Sequence, residues 1–170
     1  MTKLMIVTLD GICIDSSVRK AAARIVAGSN KNKLDPAIFL NPAMLEFDVP
    51  VAGVAQLLDK IEAEGWQVIF LSSRPDSMVV ATRAWLVRYN YIKPDHNRSL
   101  ILKQDKEKYI HNATWKASMV KRLAQQMAAT HVIFVDNEPA TTDAVATLTF
   151  PGLTVYSTLL EAIMDLPLLN

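Results

Sequence analysis

Short apolar runs along the chain alternate with longer stretches of helical period. The runs predict five buried strands, at residues 4–7, 67–71, 99–103, 131–135 and 153–156. The stretches between them predict helices, at residues 16–27, 51–63, 75–89 and 114–127, from about 139, and at the end of the chain. Strands that alternate with helices form βαβ units around a parallel sheet. The pattern therefore predicts a three-layer, Rossmann-like α/β fold with about five parallel strands and helices on both faces.

Residues 29–50 interrupt this alternation with three prolines and several asparagines and aspartates, which predicts an irregular segment. The chain from residue 12 to residue 50 has room for one helix and a loop, too little for a large cap domain. We therefore expect a single domain over residues 1–170, without a large cap and with an open site.

Polar residues follow three of the predicted strands. Thr8 and Asp10 follow the first, residues 72–74 follow the second, and residues 136–138 follow the fourth. Right-handed crossovers place the carboxyl ends of parallel strands along one edge of the sheet, where such folds bind ligands. Solvated loops also make strand ends polar, but the order of residue types favours a functional site.

That order of residue types resembles the four motifs of the haloacid-dehalogenase (HAD) superfamily of phosphohydrolases. The corresponding stretches are "IVTLDGI", "VIFLSSRPDS", "NATWKASMVKRL" and "VIFVDNEP". The resemblance covers nearly the whole chain, from Met5 to about Val145. Within the superfamily the chain is somewhat similar to capless members, which include polynucleotide 3′-phosphatases.

The resemblance implies a set of site residues. In the superfamily one aspartate attacks phosphorus, a second aspartate two positions later transfers the proton, and Mg²⁺ neutralises the phosphoryl group. The corresponding catalytic positions here are Thr8, Asp10 and Lys116, with Lys121 as the alternative lysine. The implied phosphate contacts are Gly11, Ser72, Ser73 and Arg74. The implied metal positions are Asp10, Asp136 and Asn137. Many relatives have a second acid at the position of this asparagine.

Thr8 departs from the superfamily pattern because it occupies the position of the nucleophile. A threonine hydroxyl is uncharged and is a poor nucleophile unless a base activates it. Shifting the register to make Asp10 the nucleophile fails, because Ile12 would then have to be the acid. The lost carboxylate should weaken Mg²⁺ binding. Phosphate binding should survive better, through Ser72, Lys116 and free backbone N–H groups in the turn at residues 11–14.

Two functions follow from this combination of retained and lost residues. In the first, the chain is a degenerate HAD-like protein that binds a phosphorylated ligand or a protein partner with little turnover. In the second, it is a working Mg²⁺-dependent phosphomonoesterase acting on a nucleotide, a nucleic-acid end or another phosphorylated substrate, with direct attack by water or with Thr8 as an introduced change. A third interpretation is a scaffold that contacts its partner through residues 29–50.

Composition says more about the class of protein and its location than about its chemistry. Hydrophobic residues make up 51% of the chain and charged residues 21%, a globular composition. The net charge of +1 offers no dense basic surface for nucleic acid, although a local basic face at residues 103–122 leaves that partner open. A single cysteine, Cys13, excludes an internal disulfide. With no signal-peptide pattern and no apolar run near the roughly 18 residues of a membrane helix, we expect a soluble, cytoplasmic protein with no membrane partner.

Overall fold

The computed structural model describes residues 2–28 and 33–166, and its centre is a parallel sheet of five strands. These strands are β1 (Thr2–Thr8), β4 (Trp66–Pro75), β5 (Ser99–Lys103), β6 (Ala129–Val135) and β7 (Leu153–Tyr156). Their order across the sheet is β5-β4-β1-β6-β7. Two short strands, β2 (Ile14–Asp15) and β3 (Val49–Pro50), pair with each other in an antiparallel ribbon. The predicted α/β fold is therefore confirmed.

Seven α-helices connect these strands in the described part of the chain. They are α1 (Ser17–Ala27), α2 (Pro36–Phe39), α3 (Val54–Ala63), α4 (Val79–Arg88), α5 (Asn112–Gln126), α6 (Pro139–Ala146) and α7 (Leu159–Met164). Three 3₁₀ turns lie at Pro42–Phe47, Asp76–Met78 and Asp105–Glu107. No helix among the described residues is long and apolar enough to cross a membrane.

The apolar run of β1 is continuous because both faces of the sheet are covered. Successive side chains of a strand point to opposite faces. Met5 packs in one core with Leu58 of α3, while Ile6 packs in the other core with Val120 of α5 and Val145 of α6. This central, fully buried strand fixes the position of the residues that follow it.

The structure differs from the sequence prediction mainly around residues 29–54 and 75. Residues 33–50 are more regular than expected, since they contain α2, a 3₁₀ turn and β3; residues 29–32 lie outside the described part. Helix α3 starts three residues later than predicted, because the N–H of Val51 donates to Cys13 and Gly53 turns the chain with φ of +79°. Pro75 does not start a helix. It ends β4, and a 3₁₀ turn precedes α4.

Candidate functional site

The carboxyl ends of β1, β4 and β6 bring the predicted site residues to one edge of the sheet. In the register of the sheet Thr8 pairs with Leu71, and Val7 pairs with Val135. Ser72 follows Leu71 within β4, and Asp136 follows the last residue of β6, so the two lie on either side of the end of β1. The sequence motifs therefore meet where parallel-sheet folds place their ligand sites.

Thr8 is held by the sheet rather than presented to a ligand. Its side chain is buried, with 2% of the residue exposed. The hydroxyl donates a hydrogen bond to the carbonyl oxygen of Val135 on β6 at 3.2 Å. The position at which the motif resemblance predicts a nucleophile therefore holds a neutral group whose proton is directed at the backbone.

Lys116 and Asp136 form a buried ion pair beside Thr8. The Lys116 ammonium lies 2.7 Å from Oδ2 of Asp136, and both residues are buried. Oδ1 of the same aspartate accepts the backbone N–H of Glu138 at 3.0 Å. The predicted register, with Lys116 rather than Lys121, thus puts a lysine in contact with the acid of the fourth motif.

The turn after β1 offers no free N–H group to an anion, which corrects the expectation from sequence. The N–H groups of residues 11–14 all donate to backbone carbonyls, three of them to Leu9. Gly11 has φ of +93°, and a Cβ atom there would lie 2.1 Å from Nδ2 of Asn137. Glycine is needed at this turn because the Asn137 amide packs directly on its Cα.

A bulge in β4 changes the direction of the Arg74 side chain. Ser72 pairs with Leu102 on β5, but the next paired residue of β4 is Pro75, opposite Lys103, so Ser73 and Arg74 fall in an irregular step. Bulges of this kind redirect side chains and are common beside functional sites. Here the Arg74 guanidinium points into the protein, where it is buried, rather than toward Asp76 two residues later.

Arg74 belongs to a buried cluster of four charged residues, which we call the Arg–Asp cluster: Asp10, Arg19, Asp48 and Arg74. Asp10 accepts from Arg74 at 2.7 and 3.1 Å and from Arg19 at 3.0 Å. Asp48 accepts from Arg19 twice at 2.9 Å and from Arg74 at 3.3 Å. Two arginines and two aspartates balance, so the cluster is electrically neutral and its charges are satisfied internally.

Asp10 is held in its ionised form by this arrangement. Burial by itself would raise its pKa, but the charge and hydrogen bonds of Arg74, together with the charge of Arg19, outweigh burial and lower the pKa below its ordinary value. A carboxylate with a lowered pKa is a poor proton donor near neutral pH. The second aspartate of the first motif is present, but its surroundings oppose the role of general acid.

We expect Asp10 to stay ionised down to about pH 4, because its ordinary pKa is about 3.9 and the folded value is lower. Its contribution to stability is then fully present above the unfolded pKa and is lost as the pH falls through the folded pKa. The ¹³C chemical shift of the Asp10 carboxyl, assigned by comparison with Asp10→Asn, should not change between pH 5 and pH 8. A titration of that carboxyl above pH 5 would contradict the account.

A cavity of about 400 Å³ opens beside the Arg–Asp cluster, on the β4–β5 side of the site. Its polar lining consists of Asp10, Ser73, Arg74, Lys103, Lys108 and Asn112. The remaining predicted site residues do not line this cavity; they are Thr8, Gly11, Ser72, Lys116, Asp136 and Asn137. Gly11 and Asn137 instead line a second cavity, of about 450 Å³, on the other side of the Arg–Asp cluster's Asp10, whereas the cavity beside Arg74 opens toward the end of β5.

Sequence reasoning missed Arg19, Asp48 and Lys103 as site residues. Arg19 and Asp48 are 29 positions apart and meet only because the β2–β3 ribbon folds residue 48 back over the site. No local pattern marks that pair. Lys103 did carry a signal, since it ends a predicted strand at the same edge of the sheet as the recognised motifs.

The residues at the strand ends form a weaker site for a magnesium ion than free carboxylates would, although the exposed Glu138 carboxylate lies two residues after Asp136 and is in no ion pair among the described residues. Mg²⁺ prefers an octahedron of oxygen ligands that includes carboxylates. An acidic group, Asp136, is present, but Lys116 already neutralises it. The Asp10 carboxylate is occupied by two arginines, and Thr8 supplies no charge.

A second acidic group, formed by Asp59, Glu62 and His96, could bring ligand atoms within 4.8 Å of one another. It lies elsewhere, around a cleft at the amino end of β4 that Trp66 lines. Arg98 lies 2.6 Å from Asp59 and 2.9 Å from Glu62, and Lys93 also pairs with Asp59. Because these cations neutralise both acids, the group is better described as an ion-pair network than as a metal site.

The sheet order and the polar residues at its carboxyl edge define a Rossmann-like α/β fold with a ligand-binding edge. No family model and no curated protein matches the chain, but solved structures do. A hydrolase from Streptococcus pneumoniae TIGR4 is 13% identical, with 97% of this chain and 99% of that chain covered and a TM-score of 0.57.

Two further matches carry more specific names. A haloacid dehalogenase-like family hydrolase from Streptococcus pneumoniae is 9% identical, with coverage of 91% of this chain and 83% of that one and a TM-score of 0.56. A chain of the Pnkp1/Rnl/Hen1 RNA repair complex is 18% identical with a TM-score of 0.56; the match covers 92% of this chain but only 43% of that one. At these identities the likeness establishes the fold, and the fold is the one the sequence motifs predict.

Proposed function

We propose that this protein binds a phosphorylated ligand in the cavity beside the Arg–Asp cluster and turns it over slowly or not at all. The lack of turnover is supported by Thr8, whose hydroxyl is buried and donates to Val135. Forming a covalent phospho-enzyme needs an activated nucleophile. The adjacent Asp10 carboxylate, which two arginines engage, is not placed to activate that hydroxyl.

Lys103 is the observation that carries the binding half of the proposal. Only 5% of this residue is exposed, yet among the described residues no carboxylate lies within 4.0 Å of its ammonium. It donates to Oδ1 of Asn112 at 3.0 Å and to the carbonyl of Ile110. Burying a charge with no carboxylate in direct contact is costly, and an anion bound in the cavity would offset that cost.

The rest of the cavity supports an anion of the size of phosphate. Lys108 adds a second positive charge, and Ser73 and Asn112 add groups that can donate hydrogen bonds. Arg74 contributes donors as well, although its charge is balanced within the Arg–Asp cluster. Hydrogen bonds between a phosphate and charged donors are about twice as strong as neutral ones.

Titration calorimetry with inorganic phosphate tests the binding half of this proposal. We expect saturable binding by the unaltered protein. Lys103→Met keeps the apolar stem of the side chain but removes the charge, so it should weaken binding about tenfold or more, equivalent to about 1.4 kcal/mol. Lys60→Met is the matched control, because Lys60 is an exposed lysine of α3 that does not line the cavity.

Two results would contradict the proposal. One is the absence of phosphate binding by the unaltered protein at millimolar concentrations. The other is equal binding by the Lys103→Met and Lys60→Met variants, which would show that the phosphate sits on general surface charge rather than in the cavity.

A further inference from the structure

The cavity beside the Arg–Asp cluster has two unlike walls. Its apolar lining is formed by Leu34, Pro36, Phe39 and Leu40, which all belong to the segment around α2. The cationic lining comes from the other side of the site, at the end of β5 and the turn after it. A site for inorganic phosphate alone does not need an apolar wall. The wall therefore indicates that the ligand also has an apolar part.

The surplus positive charge lies at the β5 end of the cavity. The Arg–Asp cluster is neutral, whereas Lys103 and Lys108 have no carboxylate within 4.0 Å in the described residues. Burial lowers the pKa of Lys103, and the nearby charge of Glu107 opposes that shift. The charged part of a ligand is therefore best placed against the two lysines.

Phe39 is held in place at the opposite wall. The Arg19 guanidinium lies 4.3 Å from the centroid of its ring, and Arg19 also donates to its backbone carbonyl. Phe39 remains partly exposed, as do Leu34 and Leu40. A positioned, partly exposed aromatic ring in a pocket is a stacking platform for another planar group.

We propose that the cavity takes a monophosphate ester of a planar ring, with the phosphate on Lys103 and Lys108 and the ring against Phe39 and Leu40. This inference rests on the proposed phosphate binding. A volume of about 400 Å³ lies within the range of small-molecule sites, about 300–1,000 Å³. The planar ring could be an aromatic hydrocarbon or a nucleobase, and both present a face that stacks on phenylalanine.

The test compares four probes by titration calorimetry: inorganic phosphate, glycerol 3-phosphate, phenyl phosphate and adenosine monophosphate. We expect at least one of the two ring esters to bind about tenfold or more tightly than glycerol 3-phosphate, in line with the strength of base–aromatic stacking. Tighter binding of phenyl phosphate identifies a hydrocarbon ring, and tighter binding of adenosine monophosphate identifies a nucleobase.

Variants at Phe39 locate the effect. Phe39→Ala should bring the ring ester down to the affinity of glycerol 3-phosphate, a larger loss than any that it causes for inorganic phosphate. Phe39→Leu keeps apolar bulk without the ring and should retain part of the preference, which also guards against a fold defect in the alanine variant. Circular dichroism and the thermal midpoint check both proteins.

The outcomes separate this inference from the proposed function. If inorganic phosphate binds and the ring esters bind no better than glycerol 3-phosphate, the ring subsite is wrong while phosphate binding stands. The same conclusion follows if Phe39→Ala leaves the preference intact. If none of the four probes binds, both proposals fall together.

Discussion

We expect the Asp48→Asn variant to lose about 3–5 kcal/mol of unfolding free energy, the cost of removing one partner from a buried ion pair. Asp48 is fully buried and accepts two hydrogen bonds from Arg19 at 2.9 Å each. An asparagine would direct an NH₂ group at one of those guanidinium donors. It would also leave the Arg–Asp cluster with a net positive charge in the interior.

Chemical denaturation with linear extrapolation measures this loss. Asp95→Asn is the control, because Asp95 is exposed and among the described residues makes no ion pair within 4.0 Å; surface changes of this kind stay within about 0.5 kcal/mol. The double variant Arg19→Met/Asp48→Asn removes both charges together and is compared with the single variants Arg19→Met and Asp48→Asn. It should lose less than the two single changes added, by about 0.5–3 kcal/mol of coupling.

A loss for Asp48→Asn no larger than that of Asp95→Asn would show that the Arg–Asp cluster contributes nothing to the fold. If Asp48→Asn is too unstable to purify, recovery of a folded double variant still shows that removing Arg19 relieves the unpaired charge. A double variant that is no more stable than the sum of its parts would contradict the pairing of these two residues.

The second large effect concerns the metal site that is weakened in the unaltered protein by the absence of a carboxylate at Thr8. Thr8 and Asp136 end neighbouring parallel strands, which lie about 4.8 Å apart. Thr8→Asp would therefore place two carboxylates side by side. Because Mg²⁺ affinity rises with the number of carboxylate ligands, we expect this variant to bind Mg²⁺ at least about tenfold more tightly than the unaltered protein, or by about 1.4 kcal/mol.

Electron paramagnetic resonance of bound Mn²⁺, displaced by Mg²⁺, reports this affinity independently of any reaction. Thr8→Asn is the matched control, since it has the same shape as the aspartate without its charge. Equal affinities for Thr8→Asp and Thr8→Asn would contradict the argument. So would tight binding by the unaltered protein, which would show that Asp136 and its neighbours hold the ion in spite of Lys116.

The fold was predictable from local pattern because the strands are buried on both faces. Strands β5 and β7 have the predicted bounds, since each is a short run of β-forming residues between turn residues. Helix α1 ends at Ala27 with Gly28 as its cap, as predicted, because glycine adopts the positive φ of 72° at that position. Strand β4 is longer than expected, because it continues through a bulge at Ser73 and Arg74. Polar residues at a strand end do not by themselves indicate a bulge.

The site was only partly predictable, because its chemistry depends on contacts between distant residues. The motifs correctly place Thr8, Ser72 and Asp136 at one edge of the sheet. They say nothing about Asp48, whose partner Arg74 is 26 positions away. They also do not indicate the cavity beside Lys103, which lies at the end of a strand that carries no motif. Pairings of this range are set by the folding of the whole domain.

We propose that this protein holds a phosphorylated ligand without cleaving it. The most direct test is ³¹P nuclear magnetic resonance of phenyl phosphate mixed with a stoichiometric amount of the unaltered protein, with and without Mg²⁺. The account predicts a broadened ester resonance and no inorganic phosphate beyond that of a protein-free sample. Release of inorganic phosphate by the unaltered protein, lost in Asp10→Asn, would contradict it and would show that this site catalyses hydrolysis without the aspartate nucleophile.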